Sequence, residues 1–198
     1  MVNMSYITKR KIALSVKNLV LETSINKTNV TSVMQSIHMR RQTFYDFFLD
    51  KYDAIEWIFN DELREIIEDN LDYAKWTNII HDLCQYFFDN QKFINAILNA
   101  NIQENIVEET IKKHTEQLIQ VIVLNISKEQ NITLDNTEIH FFPEVYSSVI
   151  LEQLKSWIAI NANRSVDAEA RLLILVLEDS INGTILRKKG SHDYIFFD

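Results

Sequence analysis

The chain of 198 residues has one cysteine, one proline and two glycines. Each shortage excludes something. A lone Cys84 rules out an internal disulfide framework and a cysteine-rich zinc site, since both need several thiols. Scarce glycine and proline disfavour sheet folds, whose many turns draw on those residues. Asn and Asp are plentiful, so long helices joined by short polar loops are what the composition favours. Long hydrophobic runs are also missing. The longest purely aliphatic stretch is Leu172 to Leu177, far short of the ~20 residues that cross a bilayer. The opening MVNMSYITKRKIALSVKNLVLE turns polar and charged early and lacks a signal-peptide core. A cytoplasmic protein without a membrane partner is therefore expected.

Enzyme signatures are absent as well. No Walker loop or dinucleotide fingerprint occurs. His81 and Cys84 lie three apart on an expected helix, with no orienting partner or glycine-rich oxyanion loop. His38, His114, His140 and His192 are scattered without metal-ligand spacing. The expectation is a non-enzymatic protein with no cofactor and no metal.

What is present is hydrophobic material, 46% of residues, and an uneven charge. The net charge is −8, yet residues 1–57 carry eight Lys or Arg against five Asp or Glu, net +3. Residues 58–198 therefore hold −11. A basic head on an acidic body confines contact with a polyanion to one end.

Periodicity reads as helix almost throughout. Thr8 is a plausible cap for a first helix reaching about Thr23, with Ile12, Val16, Leu19 and Val20 on one stripe. Thr28 or Asn29 caps a short second helix with Val30, Val33, Met34 and Ile37 inward. A tight turn leads to a third helix from about Arg40 to Phe47, and Asp50 caps a fourth over about 51–71. Longer helices follow near 75–89, 91–100, 104–126, 138–161 and 167–187, the last capped by Asp167. Ser127 to Thr137 reads as the clearest loop and Asn161 to Ser165 as the second. Pro143 fits a first turn, which would start its helix nearer Phe142. The stretch after Lys188 has no assignment.

Two short helices about a tight turn, braced by an earlier helix, are the makings of a helix-turn-helix head. Phe44 and Phe48, four apart, would anchor the second. Arg40, Arg41, Gln42 and Thr43 would then sit at its exposed N-terminal end. Arg pairs bidentately with guanine and Gln with adenine, while Thr reaches a thymine methyl or a phosphate. A solvated basic turn on an ordinary bundle explains the same spacing equally well.

The segment VTSVMQSIHMRRQTFYDFFLDKYDAI resembles the signature of TetR-family regulators. Val30-Thr31, Thr43-Phe44-Tyr45, Phe48 and Lys51 match that pattern in order and spacing. The resemblance implies an all-α dimer of about nine helices. It implies a three-helix DNA-binding head over residues 1–52 and a regulatory and dimerisation body over 53–198. It places Thr31, Thr43, Tyr45 and Lys51 on phosphates and Arg40, Arg41 and Gln42 on bases of a double-stranded inverted-repeat operator. His38 stands where the family usually has glycine, at a position of positive φ. Phe47 stands where a polar histidine is common, and Arg40 where a small capping serine is common.

Within the family, RRQTFYDFFLDKYDAIEWIF and the aromatics Trp76 and Tyr86-Phe87-Phe88 with Asp89-Asn90 resemble the branch that activates dihydroxyacetone kinase operons. That resemblance implies an activator acting with a dihydroxyacetone-binding co-activator protein. A repressor released by a small molecule in its own body remains an alternative, as does a helical adaptor that binds only protein.

The body is rich in aromatics: Trp57, Phe59, Tyr73, Trp76, Tyr86, Phe87, Phe88, Phe93, Phe141, Phe142, Tyr146 and Trp157. They line either a pocket or a plain core, and core is the simpler reading. Ile102, Ile106, Ile111, Leu118, Ile122 and Val123 also read as core. The last two helices are the expected dimer interface, through Leu154, Trp157 and Ile158 on one and Leu173, Val176 and Ile181 on the other. Val149, Ile150, Leu172 and Leu175 extend these stripes, and Gly183 would allow close approach.

Overall fold

The computed structural model describes residues 4–68, 76–100 and 106–190. Among these residues there are nine helices and no strand. They are α1 (Met4–Glu22), α2 (Val30–Ser36), α3 (Arg41–Tyr45), α4 (Lys51–Ile66), α5 (Trp76–Asp89), α6 (Gln91–Leu98), α7 (Ile106–Glu129), α8 (Asn136–Ala159) and α9 (Val166–Lys188). The break expected at Asp72, the aromatic Tyr73, the core residue Ile102, His192 and the far end of the tail lie outside the described residues. So does the side chain of Ile106.

Helix starts follow their capping residues. Asn29 accepts from the Ser32 amide at 3.0 Å and opens α2. Asp50 accepts from the amides of Tyr52 and Asp53 and opens α4. Four expectations need correction. Thr8 does not cap α1, which begins by Met4; its hydroxyl instead donates to the Met4 carbonyl within the helix. Ser165, not Asp167, caps α9, because its hydroxyl accepts from the Ala168 amide. Pro143 lies well inside α8, since Asp135 and Glu138 form a reciprocal capping box that fixes the start seven residues earlier. The ring costs α8 one interior hydrogen bond. The segment Ser127 to Glu129 belongs to α7, so that loop is shorter than its polar composition suggests.

Three helices end without glycine. Met39 and His38 donate back to the carbonyls of Met34 and Gln35. Ile132 and Asn131 do so to Ser127 and Lys128, and Ala162 and Asn161 to Trp157 and Ile158. The residues in the left-handed region are His38 (φ 56°), Asn131 (φ 52°) and, after α8, both Asn161 (φ 57°) and Ala162 (φ 47°). This is the Schellman hydrogen-bond pattern, with side chains where glycine usually stands.

Packing then assembles the bundle. Phe59 of α4 stacks on Phe93 of α6, centroids 5.4 Å apart, and both are buried. Phe87, Trp157, Ile111, Leu118, Ile122 and Val123 join the same core. Phe141 and Phe88 stay exposed, so the aromatic stock is divided between core and surface. α4 lies along α1 and is tied to it by polar pairs. Lys17 meets Glu62 at 2.8 Å, and the hydroxyl of Tyr86 on α5 donates to the same carboxylate. Tyr6 donates to buried Asp61 at 2.9 Å, and Arg10 reaches Glu65 at 2.6 Å. α4 thus connects the first three helices to the rest of the molecule. No helix among the described residues is long and apolar enough to cross a membrane.

Candidate nucleic-acid interface

The short helix α3 is held from below by aromatics. Phe44 is fully buried and Phe48 nearly so, their rings 5.6 Å apart. Phe48 meets Trp57 of α4 edge-on, and the Lys9 ammonium lies 5.1 Å from both rings. The Ser15 hydroxyl of α1 donates to the Val33 carbonyl at 2.9 Å and fixes α2 against α1. The left-handed residue His38 then turns the chain from α2 into α3.

Arg40, Arg41 and Gln42 stand exposed at the start of α3, and Thr43 is half-buried behind them. Arg40 occupies the cap position with extended backbone and makes no side-chain cap. Arg41 donates to the Tyr45 hydroxyl at 3.1 Å and lies 5.7 Å over its ring, with Tyr45 itself half exposed. Thr31 is exposed in the first turn of α2. Six of the seven sequence-selected residues therefore lie on α2, α3 and the turn between them. Lys51 is the exception in chemistry. Its ammonium turns inward to the carbonyls of Ile25 and Thr28, and burial lowers its pKa from the usual lysine range. Lys9 was not among the selected residues. Its position i+4 from Ser5 gave no sign that it would cover Phe48 and Trp57.

The residues expected at a dimer interface divide differently. Leu154, Trp157, Ile158 and Leu173 are buried within the single chain. They cannot form an outward face, because α5, α6 and α7 already cover the inner stripe of α8 and α5 that of α9. Ile181 is half-buried, and Val176 is 49% exposed. The exposed apolar residues of these helices are Phe141, Val145 and Val149 on α8 and Leu172, Leu175, Val176 and Leu186 on α9. An open cleft separates the two helices, rimmed by Val149, Leu172 and Val176. At its floor the buried carboxylate of Glu169 receives Gln153 at 2.7 Å and Arg164 at 2.5 Å. Among the described residues, a Cβ added at Gly183 would meet Arg187 Nη1 at 3.9 Å, an ordinary van der Waals contact.

Cys84 and His81 form no pair. Cys84 is buried, its thiol pushed up to about 12 by burial and by the nearby Glu169 charge. His81 points outward to Asp167 at 3.0 Å.

A helical body carrying a short, exposed, basic helix after a tight turn has the build of a helix-turn-helix regulator. Residues 74–179, just over half of the chain, match the family TetR_C_8, described as "Transcriptional regulator C-terminal region". The chain belongs to the TetR family of transcriptional regulators. Over 93 residues it is 37% identical to the HTH-type dhaKLM operon transcriptional activator DhaS of Lactococcus lactis subsp. lactis (strain IL1403). That match takes in 47% of this chain and 50% of the relative, so the alignment spans about half the length of the curated relative. The solved structure of the dihydroxyacetone kinase operon activator DhaS superposes with a TM-score of 0.75 at 26% identity, covering 89% of this chain and 97% of that one. The fatty acid degradation regulator FadR from Bacillus halodurans shares the fold, with a TM-score of 0.66 at 12% identity over 89% of this chain and 96% of that one. The homologues are transcriptional regulators, not enzymes.

Proposed function

We propose that this regulator binds an inverted-repeat operator as a homodimer and activates a dihydroxyacetone kinase operon together with a metabolite-sensing co-activator protein. Residues 1–52 form the DNA-reading head and residues 53–198 the regulatory and dimerisation body. Arg40, Arg41 and Gln42 read base edges, while Thr31, Thr43, Tyr45 and Lys51 hold phosphates. The observation that carries the reading is the exposure of Arg40, Arg41 and Gln42 at the start of a helix pinned by buried Phe44 and Phe48. Exposed cations on a rigid short helix suit groove entry, and a two-fold dimer sets two such helices ~34–36 Å apart, one turn of duplex. The activator role and the co-activator rest on the likeness to DhaS.

Gel shifts on the operator test the head. Arg40→Ala or Arg41→Ala is expected to cost ~1–3 kcal/mol and to relax specificity at one base pair. Affinity should also fall steeply with salt, because phosphate contacts release counterions. Unchanged binding on replacing Arg40, Arg41 and Tyr45 together would remove α3 as the reading element.

A further inference from the structure

Asp46 follows directly on α3 and keeps its helical backbone, with φ −74° and ψ −16°. The Phe48 amide donates to the Phe44 carbonyl at 3.0 Å, so the helical turn runs on past it. Asp46 is therefore two residues from each buried anchor, Phe44 on one side and Phe48 on the other. Two residues of helix are a rotation of about 200°, so its side chain points away from both. Gln42 stands four residues earlier and shares that outward face, and both are exposed. Arg41 and Tyr45 lie to one side of the face, bonded to each other at 3.1 Å, and half-buried Thr43 lies to the other.

Nothing in the fold calls for an acid there. The carboxylate of Asp46 has no hydrogen bond or ion pair among the described residues. The next acids along the chain are committed: Asp50 accepts from the Tyr52 and Asp53 amides, and Asp53 from the Leu49 amide at 2.8 Å. The C-terminal end of a helix favours cations, so an acid at this position gains nothing from the backbone dipoles. Duplex phosphates carry one charge per ~1.7 Å of axis, so a carboxylate brought against DNA is tolerated only where a donor meets it.

A carboxylate only accepts. In the major groove guanine and thymine present acceptors, and adenine couples its amino group to the N7 acceptor. Cytosine alone offers an amino donor with no acceptor beside it on the same base. We propose that Asp46 is a specificity-determining residue of the reading helix, its carboxylate accepting from the N4 amino group of one cytosine in each operator half-site. The proposal rests on the reading of α3 as the DNA-contacting helix and deepens it. Arg40 and Arg41 bring only donors to the groove, Gln42 brings both kinds of group, and Asp46 brings an acceptor alone. Guanine or thymine at that pair would set two acceptors face to face, so recognition works by exclusion as much as by attraction.

The test begins with duplexes selected from a randomised pool by the full-length wild-type chain. Gel shifts follow on the selected duplex, with each base pair replaced in turn. Wild type is expected to show one pair in each half-site where any base other than cytosine costs about tenfold or more. Asp46→Ala should accept all four bases at that pair. Asp46→Asn, nearly the same shape, should come to favour adenine there, since an amide pairs with adenine N6 and N7. Preferences at every other pair should stay, and so should the helicity of both variants. A purely structural role would weaken all duplexes alike and move no preference. Failure of wild type to retain any duplex would remove α3 as the reading helix, and this proposal with it. A different result would overturn the role of Asp46 alone: wild type selects a duplex, and folded Asp46→Ala and Asp46→Asn variants select the same sequence or lose affinity uniformly.

Discussion

Lys51 Nζ lies 2.6 Å from the carbonyl oxygen of Ile25, and 3.0 Å from that of Thr28. The side chain therefore ties the first turn of α4 to the loop between α1 and α2. An ammonium has three donors, so two brace the head and one is left for a phosphate. Lys51→Ala is expected to do two things. It strands two carbonyls and should destabilise the protein by about 1–3 kcal/mol. It should also weaken specific and non-specific duplexes about equally and reduce the salt slope by about one. Denaturant titration and gel shifts over a salt series measure both. A variant of unchanged stability would show that the two carbonyl bonds carry no weight.

His38 holds a left-handed backbone at the turn that presents α3. A side chain in that region costs roughly 1–2 kcal/mol, part of which glycine offsets by a more flexible unfolded chain. His38→Gly should therefore stabilise the protein by up to about 1 kcal/mol, and Asn131→Gly and Asn161→Gly by somewhat less, since Asn tolerates the conformation better. The three sites are far apart in sequence and share no partner among their hydrogen bonds, so their gains should add. Thermal denaturation of single and triple variants checks this. A loss of stability on His38→Gly would mean that the imidazole makes a compensating interaction.

These same helix ends mark where sequence reading succeeded and where it stopped. Apart from the start of α1, which Thr8 does not cap, the short head is legible because its signals are local: Asn29 and Asp50 cap, Phe44 and Phe48 anchor, and His38 takes the turn. Three other boundaries were misplaced because two signals competed. Ser165 and Asp167 both suit a cap, and only the hydrogen bond to Ala168 decides between them. Ser127 to Glu129 are polar enough for a loop, yet the left-handed Asn131 ends the helix two residues later. Pro143 argues for a helix start, but the Asp135–Glu138 capping box overrides it. Four of the six residues expected at a dimer face, Leu154, Trp157, Ile158 and Leu173, are buried in the protomer for a different reason. Leu154, Trp157 and Ile158 share the face of α8 that packs into the protomer core, while Phe141, Val145 and Val149 of the same helix stay exposed. A single-chain stripe does not tell which side another copy would cover. Lys51 shows the same limit: its spacing is visible, but its inward turn depends on two carbonyls more than twenty residues away in sequence.

The clamp between α1 and α4 should respond to acid. Arg10 donates to Glu65 at 2.6 Å, and this hydrogen bond lowers the Glu65 pKa from the ordinary glutamate value. A depressed folded pKa means that the stabilising charge is fully present above the ordinary carboxylate range. It is lost as pH falls through that range and down to the folded value. The head should thus loosen from α4 on acidification while Arg10 stays charged. Glu65→Gln is expected to lower stability slightly at neutral pH and to flatten this part of the acid limb. The pair is partly exposed and screened by solvent, so the effect at neutral pH should be small. Hydrogen exchange of α1 amides as a function of pH follows the change directly. Identical acid limbs for wild type and variant would place the sensitivity elsewhere.

The proposed dimer gives the sharpest contrast between two sets of apolar residues on the same helices. Leu172 and Val176 are each 49% exposed on the rim of the α8–α9 cleft, whereas Leu154 of α8 is fully buried. An aspartate on the rim remains solvated in the separated protomer but would be desolvated and unpaired against a second copy. Leu172→Asp and Val176→Asp should therefore yield folded monomers with near-native helicity and much weaker operator binding, since one head alone contacts only a half-site. Leu154→Ala removes core volume instead and should cost about 2–5 kcal/mol of stability. Sedimentation velocity together with thermal denaturation separates the outcomes: the rim variants change the association state, and the core variant changes the unfolding midpoint. Should both rim variants remain dimeric, two copies must meet through a surface other than the exposed apolar rim of α8 and α9, and the two-fold spacing proposed for the recognition helices would need another origin.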